Sequence, residues 1–211
     1  MKKFLFGVAA CIVLSVQLCC ISKSIKPELY KRNAYNSVVM LEMEFELLNE
    51  KKEVIHPGIT ATGFAVDSLH LVTAGHFCIS GLQNALKSKS VKTSMLYVSG
   101  NEELVEIKNF RIVLIDVRND LCIIERQGHH ITPVVFAKDY RPKIRDKVFT
   151  VGAPANSFPV ETEGVVSLPS VFSSEPEMNG KILCSLAVYK GNSGSPVFNQ
   201  DRRSSWSCCY G

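Results

Sequence analysis

The 211-residue sequence contains no C-x-x-C and no H-x-x-x-H pair, so the short spacings that bring two metal ligands together are missing. Its Lys and Arg residues are scattered rather than gathered into a stripe. With a formal charge of only +4, this leaves no electrostatic footprint for nucleic acid. Helical periodicity is scarce, which argues against a sheet of alternating strands and helices. No histidine follows His130, so a nucleophile near the C-terminus can draw a base only from upstream. What is present, 46% hydrophobic and 21% charged residues, describes a globular chain with material for one substantial domain or two small barrels.

Lys2 and Lys3 precede an apolar run from Phe4 to Leu14, which continues with interruptions at Ser15 and Gln17 as far as Ile21. This is the form of a secretory signal over residues 1–22; the run is also close to the minimum bilayer span, so an uncleaved membrane anchor stays open. A lipoprotein is less well supported, since Leu18 and Cys19 precede Cys19 and Cys20 where a lipid-attachment box needs a small residue, and a buried N-terminal helix of the domain is a further reading. Residues 23–36 are polar, carry Pro27 and read as a linker. Either targeting form places the rest of the chain outside the cytosol: secreted, periplasmic, or held on the outer side of a membrane.

Strand signals dominate from residue 37. Ser37–Leu48 alternates apolar and acidic residues, and further strands are expected at 59–66, 69–74, 91–99, 104–117 and 120–125. A short helix is expected at 77–86. After a connection rich in Pro and charge, containing His129 and His130, strands are expected at 147–151, 161–168, 181–187 and 195–198. Short β runs broken by turns every ~8–12 residues predict a sandwich or barrel. Cys78, Cys122, Cys184, Cys208 and Cys209 lie beyond the targeting stretch and show no disulfide framework. Cys122 and Cys184 read as small buried hydrophobes.

Three stretches carry chemistry. Gly191-Asn192-Ser193-Gly194-Ser195-Pro196 surrounds a hydroxyl with small residues that can turn sharply and leave backbone amides uncovered. Taken alone it reads equally well as a turn between strands. A serine nucleophile needs a base and preplaced donors for the oxyanion it creates. His76, at the end of Leu71-Val72-Thr73-Ala74-Gly75-His76, and Asp120, before the run Leu121–Ile124, supply a base and a carboxylate to orient it.

The order His…Asp…Ser is that of the chymotrypsin type and differs from the orders of subtilisins and α/β-hydrolases. Thr73-Ala74-Gly75-His76, Asn119-Asp120-Leu121 and the Ser193 hexapeptide resemble the three catalytic boxes of the trypsin-like (chymotrypsin-fold) serine peptidases. Asn192, together with Val151-Gly152-Ala153-Pro154 and Thr162-Glu163-Gly164-Val165-Val166-Ser167, is similar to the bacterial glutamyl endopeptidase and HtrA-type branch. The resemblance covers about residues 36 to 200. It implies an all-β fold of two antiparallel barrels, residues 37–126 and 146–211 of a peptidase domain spanning 37–211.

The same resemblance implies a serine endopeptidase in which His76, Asp120 and Ser193 form the triad and the N–H groups of Gly191 and Ser193 form the oxyanion hole. The substrate would be a protein or peptide, with no cofactor and no metal. Ala187-Val188-Tyr189-Lys190 corresponds to the specificity-pocket wall; it has no acidic residue, which disfavours cleavage after Lys or Arg and favours an apolar or small side chain. The animal-type disulfide beside the histidine is absent, since Thr60 and Ala61 stand where its upstream cysteine would be.

The tail departs from the family. Residues 200–211 lack a strand pattern, so the second barrel could be short of its closing strand. Codons exist for Asp201–Gly211 such that a one-base deletion reads Asp-Gly-Glu-Val-Leu-Gly-Val-Val-Val-Met, a turn and an apolar strand. The alternatives to an enzyme are therefore a truncated or inactive homologue acting as a binding module, and a surface β-domain with a chance triad.

Overall fold

The structure, a computed structural model, describes residues 34–99, 101–126, 128, 131–138, 140–172, 174, 180–200 and, in backbone only, 204–207. Residues 1–22, expected to be a signal or anchor, and His129 and His130 lie outside the described residues. Among the described residues no helix is long and apolar enough to cross a membrane.

Strand β1 (Val38–Leu48) shows why a sheet forms. Val39, Leu41, Met43 and Phe45 are buried, while Met40, Glu42, Glu44 and Glu46 between them are more accessible. This is the period of two by which a pleated strand sorts its side chains. Seven further strands complete the first sheet: β2 (Val54–Ile55), β3 (Gly58–Ala65), β4 (His70–Ala74), β5 (Ser90–Val98), β6 (Leu104–Lys108), β7 (Phe110–Asp116) and β8 (Leu121–Arg126). They pair antiparallel in the order β6-β5-β1-β3-β4-β8-β7, with β2 on the end of β1. Helix α1 (Gly75–Ala85) leaves β4 and packs Phe77 and Cys78 onto the core.

The second sheet comprises β9 (Lys147–Gly152), β10 (Val160–Leu168), β11 (Leu183–Cys184), β12 (Pro196–Asn199) and β13 (Ser204–Ser207), in the order β11-β10-β9-β12-β13. Both sheets curl into half-barrels, each with its own apolar cluster. A third cluster joins them: Val38 and Phe64 of the first sheet meet Phe149, Val151 and Phe198 of the second. Phe149 and Phe198 stack with ring centroids 5.0 Å apart. The two-barrel all-β expectation is met.

Four local expectations are corrected. Residues 104–117 form two strands, because Asn109 adopts φ +67° and turns the chain; Asn tolerates this region better than most residues. Of the strand expected at 181–187 only Leu183–Cys184 is regular. The tail does supply a strand: β13 pairs with the free edge of β12, Pro196 opposite Ser207 and Val197 opposite Trp206. Main-chain hydrogen bonding needs an open edge more than an apolar pattern.

The cysteines also differ from expectation. Cys78 and Cys122 form a disulfide, joining α1 to β8 across 44 residues. Both are fully buried, so Cys122 is a core residue but a bridged one. Cys184 is free, and burial pushes its thiol up from the ordinary value, away from the reactive thiolate.

Candidate active site

His76 and Asp120 reach each other because β4 and β8 are neighbours in register, Ala74 opposite Leu121 and Thr73 opposite Cys122. His76, two residues past the end of β4, and Asp120, immediately before β8, therefore end at the same rim. Helix α1 starts there with no side-chain cap of its own. The Asp120 carboxylate caps it instead: Oδ1 accepts the His76 backbone N–H at 2.7 Å, satisfying one of the unpaired donors of the first turn. Its other oxygen, Oδ2, lies 2.9 Å from His76 Nδ1. With Asp120 ionised, Nδ1 carries the proton and donates it to Oδ2, leaving Nε2 bare as a proton acceptor.

Backbone conformation makes the approach possible. Asp120 has φ +52°, at the end of a turn whose Asn119 bonds back to Asp116. Its carbonyl accepts Gly75 N–H at 2.9 Å. A Cβ on Gly75 would stand 3.0 Å from the Asp120 carbonyl carbon, so the glycine is what lets the helix begin this close. The Asp120 side chain is 18% exposed and that of His76 51%, a largely covered carboxylate beneath an accessible imidazole.

Ser193 comes to this rim from the second sheet. Its carbonyl accepts Thr62 N–H of β3 at 2.9 Å. Next to it Gly194, at φ +86°, packs so tightly on Thr62, Thr73 and Ala74 that a Cβ would collide with the Thr62 carbonyl. The Ser193 turn thus rests on the residues leading to His76. No hydrogen bond joins the Ser193 hydroxyl to the His76 imidazole among the described residues; such bonds commonly tighten only when substrate is bound.

Two amides flank the hydroxyl with fixed directions. Lys190 C=O accepts Ala155 N–H at 2.8 Å, and in a trans peptide the Gly191 N–H must point the opposite way. Asn192 C=O accepts Ser195 N–H at 2.9 Å, which turns the Ser193 N–H outward in the same manner. Neither N–H donates to any described group. Gly191 has φ +101°, and a Cβ on it would collide with the Ala153 carbonyl. Two unspent donors in the turn that carries Ser193 are of the kind that can receive a developing oxyanion.

Ala187, Val188, Tyr189 and Lys190 run from β11 into the Gly191 turn, with Ala187, Tyr189 and Lys190 exposed and Val188 half-buried. Their placement comes from both ends: Ser185 pairs with Val165 of β10, and Tyr189 C=O accepts Asn192 N–H at 3.0 Å. The segment carries no acidic side chain. Thr62, which no sequence motif singles out, and Thr73, of the His76 stretch, also stand at this rim. Thr73 Oγ1 donates to Thr62 C=O at 2.6 Å, and Thr62 is fully buried against the Ser193 turn.

Comparison with known proteins agrees with this architecture. The crystal structure of Deg5 superposes with a TM-score of 0.65 at 22% identity, covering 86% of this chain and 83% of that one, a likeness of fold. No curated protein sequence matches the chain at a significant level. The family model of the trypsin-like peptidase domain matches residues 61–204, which hold His76, Asp120 and Ser193 alike. The chain belongs to the trypsin-like peptidases.

Proposed function

We propose that the chain is a serine endopeptidase that cleaves protein or peptide substrates through an acyl-enzyme. The observation that carries this reading is the two-point contact of Asp120 with His76, at 2.7 and 2.9 Å, on the rim where the Ser193 turn docks. Ser193 Oγ attacks the scissile carbonyl while His76 Nε2 takes its proton. Asp120 holds the tautomer and stabilises the imidazolium without being protonated itself. The carbonyl oxygen, now negative, is met by the N–H groups of Gly191 and Ser193. His76 returns the proton to the leaving amine, and water repeats the sequence on the ester. Every proton passes through His76.

The wall Ala187–Lys190 lacks a carboxylate for a basic side chain, so the preferred residue on the acyl side of the bond is apolar or small. The working compartment is outside the cytosol: a disulfide such as Cys78–Cys122 persists in oxidising surroundings, and the N-terminal pattern is that of an exported chain. An inactive homologue that binds without cutting drew its support from the tail. Pairing of residues 204–207 with β12 speaks for a covered barrel edge there.

The test is cleavage of casein or gelatin by the purified chain. Wild type is expected to cut, with Ser193→Ala and His76→Ala each abolishing the cut. Equal cleavage by Ser193→Ala would refute the assignment.

A further inference from the structure

We infer that Thr62 is the positioning residue for the oxyanion site, holding the Gly191 turn in its working direction from the opposite barrel; this rests on the proposed roles of Gly191 and Ser193. Thr62 sits in β3, where the strand stops pairing with β4: Gly63 is opposite Thr73, and Thr62 turns its own N–H to Ser193 C=O instead. Its hydroxyl donates to Gly191 C=O at 2.7 Å and accepts Ala153 N–H at 3.0 Å. Its carbonyl accepts the Thr73 hydroxyl at 2.6 Å. One fully buried side chain of the first sheet thereby grips both second-sheet segments that set the oxyanion donors.

The grip acts on both sides of the Gly191 donor. Gly191 lacks a Cβ and sits at φ +101°, so its peptides are free to rotate unless their carbonyls are held. Thr62 holds the following carbonyl directly. The preceding one, Lys190 C=O, is held by Ala155 N–H, two residues beyond the Ala153 that Thr62 also binds. Ala155 itself is at φ +49° and ψ +38°, a conformation a residue with a Cβ keeps only where its surroundings enforce it. Removing the hydroxyl would leave the Gly191 carbonyl and the Ala153 N–H buried without this partner, and rotation of the Gly191 peptides would relieve them.

Thr62→Val keeps the shape and deletes the hydroxyl, while Thr62→Ser keeps the hydroxyl. On a peptide ester, Thr62→Val is expected to lower kcat about 10- to 100-fold with KM nearly unchanged, because oxyanion donors act in the transition state. The pH profile should not move, since His76 and Asp120 keep their contact. Thr62→Ser should recover most of the rate. Hydrogen exchange reads the same device without any activity: the Ala153 and Ala155 amides should lose protection in Thr62→Val and keep it in Thr62→Ser, with the strand amides unaltered. If Thr62→Val does not fold, Thr62→Ala carries the comparison with a smaller side chain. A folded Thr62→Val with wild-type kcat and wild-type protection overturns the inference, as does a Thr62→Ser equally impaired. A wild type that never cuts refutes the triad instead, and the exchange data still judge Thr62.

Discussion

Replacing Cys78 and Cys122 together by alanine should cost the fold far more than it costs catalysis. The bridge closes a span of 44 residues, and the chain-entropy relation for a loop of that length gives about 4 kcal/mol of stabilisation through the unfolded state. Against the roughly 5–15 kcal/mol that separates most folded domains from their unfolded chains, this is a large share. A urea dependence of about 1–3 kcal/mol per molar turns it into a midpoint lowered by roughly 1–4 M. The cysteines stand two residues after His76 and two after Asp120, so the bridge spans the same two elements as the His76–Asp120 contact. That pair has its own ties, however: the Gly75 N–H on Asp120 C=O, two contacts of the Asp120 carboxylate, and the β4–β8 register. Without denaturant, kcat should therefore stay within about threefold of wild type, since the tautomer of His76 remains held. The assay is a urea titration followed by far-UV circular dichroism, paired with ester hydrolysis in buffer. An unchanged midpoint, or a folded variant that has lost catalysis by orders of magnitude, would show that the bridge does not act mainly through the unfolded state.

Other expectations follow from single residues. Asp120→Asn should fold yet lose about 10⁴-fold in kcat, because an amide no longer fixes the Nδ1–H tautomer; steady-state kinetics alongside circular dichroism check both halves. Gly191→Ala should lower kcat about 10²- to 10³-fold, since its Cβ collides with the Ala153 carbonyl and displaces one oxyanion donor; the phosphonylation rate of Ser193 reads this directly. Asp67 is pulled down to about 2, first by the Leu69 N–H, then by the His70 side chain and its N–H. A depressed carboxyl supports the fold fully above its unfolded value, about 3.9, and loses that support as pH falls towards 2. Asp67→Asn should flatten the acid limb of a stability profile between those values, and an unaltered limb would count against the contact.

The period of two in β1 and the short runs of β3, β4 and β8 were readable because alternation is written in neighbouring residues. The His76, Asp120 and Ser193 stretches stood out for a similar reason, each having a local composition suited to the part proposed for it. Thr62 did not, for its role lies in a hydroxyl bonded to Gly191, 129 residues away, and nothing local marks it within β3. The Cys78–Cys122 pairing needed the β4–β8 register and the first turn of α1 together, neither of which spacing alone supplies. Asn109 divided a run whose composition reads as one strand, through a single left-handed residue. In the tail, β13 forms by main-chain pairing with β12, a property that side-chain pattern does not record.

The most direct test of the central claim is mass labelling of the wild-type chain with a fluorophosphonate, which reacts with a serine only when a base has activated it. A single adduct on Ser193 is expected in wild type and none in His76→Ala. An unlabelled wild type, or an adduct on Ser193 that persists without His76, would contradict it.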